Sequence, residues 1–208
     1  NTYTGGTTLA AGTLQLSGAG TLGASSGATT VNNGTLDLGG TSQTQNGGVT
    51  LANGVIQNGS LSSNNAFNLQ SGSVSAVLAG TAPLTKSTSG TVTLSGANTY
   101  TGANAINGGV LAIGADNNLG NVANSLSFAN AATLRFGNSF DLANTRAITL
   151  NAGGGTFDTN GYATQVSQAI AGSGSLTKVG AGVLTLSGAN TYAGGNVING
   201  GVLAIGAD

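Results

Sequence analysis

Histidine, cysteine, methionine and tryptophan are all missing from this chain, and proline occurs once. Without imidazole or thiol there is no Ser-His or Cys-His nucleophile pair, and no imidazole or thiolate metal site. Disulfides are excluded as well. Charge is almost as scarce. Four Lys and Arg and five acidic residues in 208 positions leave a net charge of −1. That gives no electrostatic basis for binding nucleic acid or an anionic membrane. Nor does any apolar run approach the roughly 20 residues that span a bilayer, so no membrane insertion of this segment is expected.

What is present is glycine, 38 residues of it, together with a 39% share of hydrophobic residues. Glycine at this level suits a linker, but disordered chains lack short Val, Leu, Ile and Phe clusters and carry more charge. Here the clusters recur along the whole length. A Gly opens a short alternating segment in GTLQLSG at Gly12, GTLDLGG at Gly34, GTVTLSG at Gly90, GVLAIG at Gly109 and GVLTLSG at Gly182. Steps between such segments are mostly about 18 to 23 residues. Within each one apolar and polar residues alternate, the mark of a strand with one face in a core. Helical stripes are almost absent, because Gly interrupts every candidate window.

A longer period overlies the short one. Leu84–Asp116 and Leu176–Asp208 share 25 identities in 33 positions, and NTYTGGTTLAAGTLQL from Asn1 matches NTYTGANAINGGVLAI from Asn98. The offsets are 97 and 92 residues. In a closed sandwich or barrel each copy would meet different neighbours, whereas in a stack every coil meets a coil like itself. The repeats therefore predict an all-β solenoid of roughly ten coils, about 20 residues each, with parallel strands about 4.8 Å apart. Its interior should hold Leu14, Leu16, Leu36, Leu38, Leu94, Leu111, Ile113, Leu134, Phe136, Leu184, Leu186, Leu203 and Ile205. Gln15, Asp37, Arg135 and Thr185 should face out, and the spacing puts Arg135 beside Asp158 on adjacent coils.

The run LTKVGAGVLTLSGANTYAGGNVINGGVLAIGAD, Leu176 to Asp208, resembles the passenger-associated (autotransporter-associated β-strand) repeat of bacterial autotransporters. Leu84–Asp116 and the opening Asn1–Leu16 are more degenerate copies, and GADNNLG at Gly114 and GAGTLG at Gly18 resemble the same family's continuation. Departures are mild, such as Thr81-Ala82-Pro83 where the later copy has the lead-in Gly174-Ser175. The resemblance implies a right-handed parallel β-helix, secreted or displayed on the surface of a Gram-negative-type bacterium. Its implied partner is an outer-membrane β-barrel translocator, which is not in this chain. Residues 1–208 then read as a single β-helix passenger fragment with repeat copies at 1–16, 84–116 and 176–208.

No catalytic, cofactor-binding or metal-binding residue is assigned, and no cofactor is expected. Asp141 and Asp158 are the best acid pair for a polysaccharide-acting β-helix enzyme, which needs two carboxylates about 5 to 9.5 Å apart. Their outward places between apolar neighbours fit solvated surface charges instead. GGGTFDTNG at Gly153 has one Asp where calcium-binding nonapeptides repeat it. Tyr3, Tyr100 and Tyr192 recur in the motif NTY, read as closing a coil corner. Thr occurs in pairs such as Thr91 and Thr93 without persisting in one register, which weakens a lattice-binding face. The leading functional expectation is a non-catalytic stalk or adhesin acting on a host or matrix surface. The alternative is a self-assembling filament or surface-layer subunit, associating through coil ends or flanks. At the ends, no polar or helical cap is legible, so end-to-end association or fraying is expected of the isolated chain.

Overall fold

The computed structural model describes residues 1–206; Ala207 and Asp208, with the end of the third repeat copy, lie outside the described residues. Every ladder is parallel, and the strands stack into a β-solenoid of about ten turns. The first face has nine strands, from Thr7–Leu9 to Ile170–Gly172, and the second has ten, from Thr13–Gln15 to Asn196–Ile198. The third face is split. Ser42–Thr44, Ser60–Ser63 and Val77–Gly80 form one patch, while Thr164–Val166, Val183–Leu186 and Val202–Ile205 form another. Between them the side is closed by loops and one 3-10 turn, Asp116–Leu119.

Alternation explains the core. Leu36, Ile56, Leu94, Leu111, Leu134, Phe136, Leu184 and their neighbours are fully or almost fully buried. Each such side chain stabilises the stack by about 1.5–3 kcal/mol. Phe128 and Phe157, on neighbouring faces, pack with ring centroids 5.1 Å apart. The corner before the second face must turn tightly against the coil below. At Gly54 φ is +123°, and an added Cβ would lie 2.2 Å from the Gly34 carbonyl oxygen. Only Gly fits there.

Two expectations about facing need correction. Ile205 shares the inward register of Leu186, yet it is 64% exposed because no described coil lies over Val202–Ile205. Asp37 and Asp158 occupy the outward register but are only 9% exposed. The cause is the ladder itself. Neighbouring coils are one strand spacing away, so Gln57 and Asn58 cover Asp37, and Arg135 covers Asp158.

The repeat copies do not all occupy the same faces. Leu84–Lys86 and Asn104–Ile106 lie on the first face, and Thr91–Leu94 and Val110–Ile113 on the second. Their counterparts 92 residues later are turned by one face: Leu176–Val179 and Asn196–Ile198 lie on the second, Val183–Leu186 and Val202–Ile205 on the third. Coil length is the reason. Successive first-face strands start 17 to 22 residues apart, and four coils carry the chain from Leu84 only to Ile170. The remaining six residues, Ile170 to Leu176, take it round a corner. From the first copy to the second, 97 residues complete five coils, and the facing is kept.

Candidate functional site

Three sets of side chains stand out from the apolar stack: the buried cations, the repeat corners and the outward hydroxyl column.

All four cations are engaged. Lys86 and Lys178 are fully buried, the third residue of LTK in their copies. The Lys178 ammonium donates to the carbonyls of Val179 and Gly180 at 2.8 Å and of Gly200, one coil on, at 3.1 Å. The Lys86 ammonium donates to Thr88 and, across the coil step, to Gly108 at 3.1 Å. No carboxylate takes part in either cradle, and desolvation pulls both lysines below their usual range. Arg146 is fully buried too. Its guanidinium forks onto Asp116, 3.2 Å to Oδ1 and 3.0 Å to Oδ2, and reaches the carbonyl of Asn124 at 3.0 Å. Arg135 is the partly exposed one, 2.7 Å from Asp158 as the register predicted. The Arg146 pairing was not legible, because Asp116 is 30 residues away and sits in the 3-10 turn.

Asp141 and Asp158 do not form an acid pair. Asp158 ends a second-face strand and binds Arg135 and the Asn160 N–H. Asp141 adjoins Leu142, which bridges to Val166 on the third face, and its Oδ1 accepts the Gln165 N–H at 2.9 Å. Asp37 is held below the ordinary carboxylate range by the Gly39 N–H and by the Gln57 and Asn58 amides.

Each NTY corner has the same lock. The Tyr hydroxyl pairs with the side chain four residues on: Tyr3 with Thr7 at 2.8 Å, Tyr100 with Asn104 at 2.6 Å, and Tyr192 with Asn196. In the first two copies the corner also receives a Leu-Gly turn from the following coil. Leu119 and Leu22 are buried there. Asn98 donates to the Asn118 carbonyl at 2.6 Å, as Asn1 does to Thr21 at 2.9 Å. Asn104 donates to the Leu119 carbonyl at 3.1 Å, as Thr7 does to Leu22 at 3.3 Å. Burial raises the Tyr100 phenol far above its usual range.

Outside, the first face shows one outward residue per coil. Thr8, Thr30, Thr50, Asn68, Thr85, Ala105, Ser127, Thr149 and Ala171 stand in a single register. Thr holds this register over three successive coils, Thr8, Thr30 and Thr50, and recurs at Thr85 and Thr149, so the column is a mixed small and polar one and not an unbroken Thr row. The strands that carry it lack the TxT spacing that sequence inspection looks for, since each contributes one residue.

The repeat geometry has a counterpart among known proteins. The model of the passenger-associated-transport-repeat matches residues 1–16, 84–113 and 176–205, the same three copies whose corners are described above. These three stretches are similar to the passenger repeats of autotransporters. That likeness implies a protein secreted or displayed at the cell surface of a Gram-negative-type bacterium. A relative, the adhesin BmaC autotransporter of Brucella suis biovar 1 (strain 1330), is 36% identical over 94 residues. That stretch is 45% of this chain and 3% of the relative, so the chain spans a small part of that protein's length. No solved structure matches the chain at a significant level.

Proposed function

We propose that this passenger segment is a non-catalytic adhesive rod, displayed at the cell surface and contacting a host or matrix surface through the uncharged outer column of its first face. The observation that supports it most is the first-face column, nine coils of Thr, Ser, Asn and Ala in register with no charged residue among them. Hydroxyls repeated about every 4.8 Å offer many weak hydrogen bonds along a polymer or a polar surface. The cations that could attract or repel a partner are turned inward or paired. The similarity to an adhesin supports the same reading, and residues 1–208 act in it as one solenoid unit. An outer-membrane β-barrel translocator is the proposed export partner, and no cofactor has a part.

Beads coated with the purified chain provide the test. They are expected to adhere to a polysaccharide or matrix-coated surface as well in 1 M salt as in 0.1 M, because screening touches only charge. Replacing Thr30, Thr50 and Thr85 together by Lys should abolish adhesion without loss of fold. Adhesion that collapses in salt, or survives the triple substitution, would overturn the assignment. Sedimentation of the same preparations reads self-association through ends or flanks.

A further inference from the structure

Seven asparagines precede a glycine: Asn33, Asn46, Asn53, Asn58, Asn107, Asn160 and Asn199. Such a pair can react with itself, because glycine leaves its own nitrogen unshielded beside the asparagine side-chain amide. Asn199 lies in the last described coil, and the other six have a coil on either side. Exposure does not separate these six. Asn33, Asn46, Asn53, Asn58 and Asn160 are all exposed, and Asn107 is half-buried.

Packing does separate them. Ring closure between the side-chain carbon and the glycine nitrogen needs the rigid peptide plane between the two residues to turn. At five pairs the glycine is pressed onto the coil before it. A Cβ added at Gly34, Gly47, Gly54, Gly59 or Gly108 would lie 2.2 to 2.7 Å from a backbone atom there. Closely packed backbone does not give way as a side-chain tip would. Hydrogen bonds add to the restraint. The Gly47 N–H donates to the Gly27 carbonyl at 3.0 Å, and the Asn58 carbonyl accepts the Gly40 N–H at 2.7 Å. The Asn58 amide donates to Asp37 at 3.0 Å, and the Asn53 amide to Asn33 at 3.3 Å. At Asn107 the carbonyl accepts the Asn130 amide at 3.2 Å, while the Gly108 carbonyl is taken by the Lys86 ammonium.

Asn160 and Gly161 escape all of this. They are the central residues of a tight turn, closed by the Tyr162 N–H on the Thr159 carbonyl at 2.8 Å. Their φ angles, +49° and +92°, fit a type I′ turn. Nothing lies within 4 Å of a Cβ built on Gly161. Among the described residues, neither the Asn160 side chain nor the Gly161 N–H has a hydrogen-bond partner. The Asn160 N–H is held, by Asp158 at 3.0 Å. The turn is thus anchored behind the reacting atoms and free at them.

We propose that Asn160 is a self-modification site, converted to aspartate or isoaspartate in the folded protein while the five packed pairs persist. The Gly161 nitrogen loses its proton to water and bonds to Asn160 Cγ. The Cγ–Nδ2 bond breaks, and ammonia leaves with a proton returned by water. A second water molecule then adds to one of the two carbonyls of the five-membered imide and opens it. One water is consumed and one ammonia released, with no change of oxidation state. The net charge moves from −1 to −2, so a single step doubles it. The new carboxylate stands two residues from Asp158, the partner of Arg135.

The test incubates the whole 208-residue chain in mildly alkaline buffer, digests it with pepsin at low pH, and reads each pair by mass spectrometry. The readouts are the one-dalton gain and the isoaspartate content. In the folded chain, residue 160 is expected to convert at least tenfold faster than Asn33, Asn46, Asn53, Asn58 or Asn107. In the chain unfolded by urea the six should convert at similar rates. The acidic species that builds up on anion exchange should be missing from the Asn160→Gln chain. If that variant fails to fold, the peptide map of the unaltered chain still decides. Equal rates in the folded chain, a faster conversion at any of the five packed pairs, or an unchanged residue 160 would overturn the proposal.

Discussion

Lys86 and Lys178 are the same residue of the same repeat, 92 positions apart, and they enter the rod from different faces. Both nevertheless end in a cradle of backbone carbonyls that includes one from the next coil, Gly108 or Gly200. The cradle belongs to the repeat, and the face does not matter to it.

Removing either ammonium strands those carbonyls. Lys86→Met or Lys178→Met should cost about 1–3 kcal/mol, the usual penalty for buried polar groups left without a partner. The two sites share no contacts, so the double variant should lose the sum of the single losses. Chemical denaturation of the three variants checks this, and a strongly non-additive pair would show that the cradles are coupled.

The two ion pairs should separate cleanly. Arg146→Met leaves the Asp116 carboxylate facing a buried cavity and carbonyls without a donor, a loss of about 3–5 kcal/mol. Arg135→Ala breaks a pair whose Arg side chain is 40% exposed, for a loss of at most about 1 kcal/mol. Equal midpoint shifts in urea would contradict that ranking.

The core was largely legible and the polar interior was not. Alternation about Gly identifies Leu36, Leu111 and Leu184 as inward because strand period and burial obey one rule. The Arg135–Asp158 pair follows from equal spacing of equivalent strands. By contrast, Lys86 looks in sequence like any charged residue at a strand end; its cradle is built by carbonyls, which have no sequence signature. Asp116 and Arg146 meet through loops of unequal length, outside any ladder. The face shift at the third copy was hidden for a related reason: it depends on accumulated coil length, whereas identity between copies reports only local contacts.

Stability should fall at both extremes of pH. Asp37 is depressed, so its contribution is present above its ordinary value of 3.8 and is lost as pH falls through the lower folded value. Tyr100 is raised, so its contribution is present below the ordinary 10.0 and is lost as pH climbs above it. The depressed lysines act the other way, adding stability as pH rises toward 10.5, where their effect ends. The net loss is therefore expected above 10.5, and Tyr100→Phe should reduce its slope. Denaturation midpoints measured from pH 3 to 11.5 would reveal a different order.

Trypsin offers a direct view of the cations. Lys86, Lys178 and Arg146 are fully buried, leaving Arg135 as the exposed cleavage point among the described residues. The folded chain should resist digestion or yield a single cut after Arg135, and Arg135→Gln should resist entirely. Early cleavage after Lys86 or Lys178 would mean that their coils open far more readily than the packing implies.

Spacer length in this rod works as an angular coordinate. Ninety-seven residues bring a repeat back to its starting azimuth, and ninety-two turn it by a third of a revolution. Differences of a few residues in a loop are absorbed at the corners, since coils of 17 to 22 residues keep the first face in one ladder; it is the added corner and strand, Ile170 to Leu176, that turns the third copy. Surface features carried by the repeats are aimed in different directions around the axis by where in a coil each copy starts, without a single substitution inside the repeats themselves.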